Sequence, residues 1–186
     1  MLSYLNQALS IYSAVLKAIV AFLPALIANC LPVLTVGKLI RETTPIDLNR
    51  KFIDGKPILG QSKSWEGFIV GVAGGGVVGL AYSIALGNTL WTAYGTFMGL
   101  GAMLGDTLNS FVKRRLNISS GEPFIPMDQL SFILVAYVLV KALNLDMLVK
   151  HDISLTELAI ITYVTLVLHP LTNLIAYKLG LKNKPW

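Results

Sequence analysis

Charge is scarce in this chain of 186 residues. Asp, Glu, Lys and Arg make up 13% of it, against roughly 25% in an ordinary soluble domain, which weighs against a soluble globular fold. Cysteine occurs once, at Cys30, which rules out an internal disulfide framework and any Cys-rich metal site. What is plentiful is apolar side chain, at 54% with a mean hydropathy of +0.66, and that excludes disorder. The length allows one domain. The composition points to an all-α integral membrane protein with a net charge of +5.

Uncharged runs locate the spans. Gly67 to Gly105 contains no Asp, Glu, Lys, Arg or His. A bilayer core takes about 20 residues of helix, so this stretch holds two spans, with Gly87-Asn88 as the turn between them. Ala18 to Gly37 is a second uncharged run, and Leu158 to Tyr177 is a third, interrupted only by His169. Leu130 to Val140 reaches span length by tolerating Lys141. Five transmembrane helices are expected, at about 9–40, 65–86, 89–113, 127–148 and 155–180, in a single polytopic domain covering 1–186. Two functional loops, 41–64 and 114–126, then share one side with the tail. That side collects 12 of the 15 basic residues: Lys38, Arg41, Arg50, Lys51, Lys56, Lys63, Lys113, Arg114, Arg115, Lys178, Lys182 and Lys184. Basic loops stay inside, so a multi-pass cell-membrane protein is expected, with its N-terminus outside and its C-terminus cytoplasmic. Met1 to Ala8 lacks the basic start of a signal peptide.

Small residues suggest the packing. Gly67, Gly71, Gly75 and Gly79 recur every four residues on the second span; Gly95 and Gly99, then Gly101 and Gly105, do so on the third. Such stripes let membrane helices approach closely. Pro24 and Pro32 interrupt the first span; a bent helix, or a kink that opens a cavity beside Asn29, would follow.

Each remaining charge is informative. An acid at a membrane helix defaults to a functional hypothesis. Asp106, Asn109, Ser110, Lys113 and Arg114 fall on one helical face, and Arg115 points away. Asp128 opens the fourth span, and the short loop before it can bring it to the same membrane face as Asp106. Two carboxylates there suit a hard cation such as Mg²⁺. The competing explanations are a helix cap for Asp128 and a salt bridge for Asp106, and spacing alone decides neither. The first loop carries Asp47, the turn-formers Asp54-Gly55 and Lys56-Pro57, and Gly60-Gln61-Ser62-Lys63-Ser64 leading into the second helix. A helix start with Lys63 and Ser64 can take an anion; the same loop can simply sit on anionic lipid headgroups. His169 and Lys141 fit structural and snorkelling roles.

The run Gly105-Asp106-Thr107-Leu108-Asn109-Ser110-Phe111-Val112-Lys113-Arg114 resembles the G-D-x-x-x-S-x-x-K-R segment of the CDP-alcohol-forming cytidylyltransferases, the CDP-diacylglycerol synthases and their archaeal relatives. The archaeal branch is also resembled by Asn29-x-x-Pro32, by Asp54-Gly55-Lys56-Pro57 through Gly67, and by Asp128-Gln129-Leu130. The bacterial Lys-Asp pair and Gly-His-Gly-Gly run are replaced by Ile118-Ser119 and Met127, and Ser131 stands where the archaeal relatives often have a further Asp.

The resemblance implies a CTP-dependent enzyme joining CMP to a lipid phosphate, di-geranylgeranylglyceryl phosphate, with release of pyrophosphate. It implies Asp106 and Asp128 as ligands of Mg²⁺, Lys113 and Arg114 on the lipid phosphate or the triphosphate, and Lys63, Gln61 and Ser64 on the nucleotide, with Asn29, Asp47 and Ser110 as further substrate contacts. A phosphate monoester, with a second pKa of about 6, is already a nucleophile, in keeping with a chain of two His and one Cys. The expected partners are CTP and a membrane-embedded lipid phosphate, without nucleic acid; a homodimer is left open. The alternatives are a CDP-diacylglycerol synthase, a CTP-dependent polyprenol kinase and a small membrane transporter.

Overall fold

The computed structural model describes residues 2–36 and 39–180. Its elements are α1 (Leu2–Thr35), α2 (Trp65–Leu86), α3 (Leu90–Arg115), α4 (Met127–Ala142), α5 (Leu145–Leu148) and α6 (Leu155–Lys178). No strand is present among the described residues. Among the described residues three helices, α1, α2 and α6, are long and apolar enough to cross a membrane. Lys38, Lys182, Lys184 and the side chain of His169 lie outside the described residues.

Helix α1 begins earlier than the expected residue 9, because Leu2 to Ala8 contains no Gly or Pro to stop it. It also ends before residue 40. The Thr35 carbonyl accepts N–H groups from both Leu39 and Ile40 (2.9 and 3.0 Å), which closes the last turn. Pro24 and Pro32 both sit inside α1 without ending it. The turn between α2 and α3 falls at Gly87, whose φ of +66° caps α2 in the left-handed conformation that glycine adopts without strain.

The fourth helix ends at Ala142, not at about 148. Asn144 takes a φ of +53°, and a separate short turn, α5, follows. Lys141 fixes this break by pairing with Asp146 at 2.6 Å and Asp152 at 2.5 Å. Lys141 therefore holds two carboxylates, where snorkelling was expected. Asp146 is fully buried. Burial disfavours its charge, but the bonds from Lys141 and from the Ile153 N–H outweigh this and hold its carboxyl below the usual range.

The glycine stripes pack as their spacing predicts. A Cβ on Gly75 would stand 2.5 Å from the Gly95 carbonyl and 2.7 Å from the Gly99 Cα, so α2 and α3 touch backbone to backbone. Gly101 meets Ala136 of α4, and Gly105 meets Ser131 and Phe132. Phe22, Tyr94, Met98, Phe132, Ile133 and Ile161 fill the centre. Tyr94 anchors α3 to α1 through its hydroxyl, which donates to the Ala21 carbonyl at 2.8 Å.

Candidate functional site

The segment 41–64 folds back as a strap over the end of α3. The Ile46 N–H donates to the Lys63 carbonyl, and the Trp65 N–H to the Thr44 carbonyl (2.9 and 3.0 Å). The Asp47 carboxylate accepts from the Leu59, Gly60 and Asn49 N–H groups at 2.8 to 3.0 Å. Burial opposes its charge, but those three donors prevail and hold the carboxyl below its ordinary value. Gly55, at φ +76°, turns the tip of the strap. Arg115 points away from the Asp106 face, as the helical spacing predicts. It stacks on Phe52 and Phe111, each ring 4.9 Å from its guanidinium, and pairs with Asp54 at 3.3 Å. Lys56 donates to the Arg115 carbonyl at 3.0 Å.

Under this strap lies a cavity of about 590 Å³. Asn29 and Pro32 of α1, Lys63 and Ser64 before α2, Asp106 and Thr107 of α3, Asp128 of α4, and Thr172 and Asn173 of α6 all border it. The C-terminal halves of α1, α3 and α6 thus meet the N-termini of α2 and α4 at one end of the bundle. Val33, Leu34, Ile175, Ala176 and Leu179 make one flank hydrocarbon.

Asp106 and Asp128 border the same cavity, and each carries an ion pair. Lys63 contacts Asp106 Oδ2 at 2.6 Å. Asp128 accepts from Lys113 Nζ on both oxygens (3.0 and 3.1 Å), from Asn109 Nδ2 at 2.6 Å and from the Phe124 N–H at 2.7 Å. The Lys113 ammonium also donates to the Glu122 carbonyl. The salt bridge expected as the competing explanation for Asp106 is therefore present. Asp128 spans from α3 to its loop, a larger role than capping α4.

Five of the expected site residues, Asn29, Lys63, Ser64, Asp106 and Asp128, meet at the cavity. Lys113 stands behind Asp128. Arg114 is buried beside Lys56, Asn117 and Ser119 in a separate hollow of about 260 Å³. Asp47 bonds the strap's own backbone, Gln61 is exposed on the strap, and Ser110 is buried within α3; none of the three borders the cavity. At the start of α2 the Trp65 N–H is taken by Thr44, and Ser64 Oγ accepts the Gly67 N–H at 3.2 Å. Most of the pull on an anion there falls to the Lys63 ammonium. Thr107, Thr172 and Asn173 escaped the sequence reading. Their signal is polar side chain inside an apolar span.

The donor set fits a hard divalent cation that keeps most of its coordination for phosphate. Two carboxylates, Asp106 and Asp128, border the cavity; Asn109, whose Oδ1 is buried without a hydrogen-bond partner, stands behind Asp128 and does not line it. Among the described residues no three His, Cys, Asp or Glu side chains converge. One or two carboxylates completed by substrate phosphates is the usual arrangement for Mg²⁺.

A polar, lysine-bearing cavity with a hydrocarbon flank, set among long apolar helices, has the make-up of a membrane-protein site for a ligand that is anionic at one end and apolar at the other. Comparison with known proteins narrows this. A model of the CarS-like family, CDP-archaeol synthase, matches residues 11–186. CDP-archaeol synthases of Hyperthermus butylicus and Staphylothermus marinus are each 41% identical, over 92% and 89% of this chain and 96% and 89% of theirs. A solved structure described as an intramembrane enzyme for archaeal membrane lipids biosynthesis superposes with a TM-score of 0.72 at 34% identity, covering 86% of this chain and 94% of that one. The chain belongs to the CDP-archaeol synthase family and is a membrane enzyme.

Proposed function

We propose that the chain transfers the cytidylyl group of CTP to 2,3-di-O-geranylgeranylglyceryl phosphate, forming CDP-archaeol and pyrophosphate. The observation that carries this is the shared cavity: Asp106, Asp128 and Lys63 at a polar mouth, with Val33, Leu34 and Leu179 along its side. A water-soluble triphosphate and a lipid phosphate can meet there without either leaving its own solvent.

The lipid phosphate oxygen attacks the α-phosphorus, the bond to the β-phosphate breaks, and pyrophosphate leaves with the electron pair. The nucleophile is ionised at neutral pH, so the protein's work is positioning and charge neutralisation. Asp106, with one ammonium to shed, would hold Mg²⁺ directly, and Asp128 would join it by giving up one of its four hydrogen bonds; the ion when bound would neutralise the triphosphate and make the α-phosphorus more electrophilic. Lys63 would hold phosphate oxygens. Asn29 and Ser64 would contact substrate at the walls. Lys113 acts behind Asp128, holding that carboxylate in position through contacts to both of its oxygens. Asp47 acts from outside the cavity by fixing the strap that presents Lys63, while Gln61, Ser110 and Arg114 lie off the cavity and would reach substrate only beyond its walls.

The domain is a single polytopic unit with five spans, α1 to α4 and α6. Alternating helix directions at the cavity support this count. Lys56, Lys63, Lys113, Arg114, Arg115 and Lys178 belong to the strap and helix ends at the cavity end, and the basic-inside rule supports a cytoplasmic position for that end.

Product analysis tests the function. Purified protein given Mg²⁺, CTP and the phosphorylated ether lipid should yield CDP-lipid and pyrophosphate, and the ester lipid phosphate should be the poorer substrate. Formation of CDP with a newly phosphorylated lipid would instead identify a kinase.

A further inference from the structure

The two cavity carboxylates are held very differently. Four contacts tie Asp128 to Asn109, Lys113 and Phe124, so it cannot move without unpinning the 114–126 loop from α3. The described contacts of Asp106 come from one side chain, Lys63, at 2.6 Å. The Lys63 backbone is fixed in the strap: its carbonyl accepts the Ile46 N–H at 2.9 Å, and its own N–H donates to the Gly60 carbonyl at 3.3 Å. The four-carbon stem is not fixed in this way. It is partly exposed and borders the cavity.

We infer that Lys63 and Asp106 form a counter-ion latch, in which the Lys63 ammonium neutralises Asp106 until a nucleoside triphosphate draws it away and frees the carboxylate for a divalent cation. This rests on the proposal that the cavity takes CTP. A cation arriving alone has to displace an ammonium already in contact with its ligand. A triphosphate arriving with the cation offers Lys63 another anion, and the carboxylate is released without leaving any charge unpaired. Cation and nucleotide therefore bind with positive coupling, and linkage makes the coupling equal in both directions. Asp128 does not take part in the exchange, because its Lys113 is also committed to the Glu122 carbonyl.

The test uses the full chain in detergent, with Mn²⁺ as the cation, its binding followed by electron paramagnetic resonance, and α,β-methylene-CTP as a nucleotide that cannot react. Wild-type protein should bind Mn²⁺ weakly alone and roughly tenfold or more tightly with the analogue. Lys63→Met should bind Mn²⁺ alone roughly tenfold more tightly than wild type, and the further gain with the analogue, whose phosphates still coordinate the ion, should be smaller than in wild type by a similar factor. Lys63→Gln should repeat that gain, which guards against a fault peculiar to one variant, and Lys63→Arg should keep the weak wild-type value. Unchanged Mn²⁺ affinity in both neutral variants overturns the latch. Asp106→Asn separates the two proposals. If it binds Mn²⁺ with the analogue as wild type does, the cavity assignment itself is wrong. If it loses that binding while the neutral Lys63 variants behave as wild type, only the latch fails.

Discussion

Asp128→Asn should cost the fold far more than Asp106→Asn, although both remove one negative charge from the same cavity. Asp128 accepts from an ammonium on both oxygens, from an amide and from a backbone N–H. Hydrogen bonds to a charged group contribute about 1.5–3 kcal/mol each and do not add in full. An asparagine keeps one accepting oxygen and turns the other position into a donor facing the buried Lys113. Breaking a buried pair costs about 3–5 kcal/mol; the Asp128 side chain is 26% exposed, which reduces this to roughly 1–3 kcal/mol. For a chain of this size that corresponds to a Tm drop of about 2–12 °C. Asp106 meets one lysine, with side-chain exposures of 27% and 21%, so its loss is within about 1 kcal/mol. The assay is thermal unfolding of both variants in one detergent, followed by tryptophan fluorescence. Equal shifts in the two variants would refute the claim that Asp128 is the structural member of the pair.

Lys141→Met leaves the fully buried Asp146 without its cation and should cost about 3–5 kcal/mol, read as a lower Tm, whereas Asp152→Asn, at a 71% exposed partner, should cost within about 1 kcal/mol. Gly75→Ala forces a methyl against the α3 backbone and should destabilise by about 1–3 kcal/mol; Gly76→Ala meets only a threonine side chain and should be far milder, as unfolding of the two proteins will show. The Asp47 carboxyl titrates below its ordinary value, so its stabilisation is complete above the unfolded pKa of about 3.9 and is lost as pH falls through the lower folded value. Asp47→Asn should therefore melt below wild type at pH 7, and the two should converge as pH falls through the lowered folded value.

What could be read in advance was local. An i, i+4 glycine stripe presents bare backbone on one face whatever lies opposite, so the contacts of Gly75 with α3 and of Gly105 with α4 follow from spacing. The Asp106 to Arg114 face and the outward turn of Arg115 follow from helical periodicity in the same way. Partners distant in the chain could not be read. Lys63 and Asp106 are separated by 43 positions, and nothing local to Lys63 says whether it meets a carboxylate or a phosphate. Asp47 looks like a turn-former, but its bonds run to Leu59 and Gly60, a closure that depends on the whole strap. The break after Ala142 was hidden because Leu143 to Leu148 contains neither Gly nor Pro. It depends on Asn144 adopting positive φ, which Asn tolerates better than most residues, and on Lys141 drawing Asp146 and Asp152 together.

The fate of the individual CTP phosphates tests cytidylyl transfer most directly. With the phosphorylated ether lipid and Mg²⁺, label in the α-phosphate should appear in the lipid product and label in the γ-phosphate in pyrophosphate. Label from the γ-phosphate in the lipid would contradict the account.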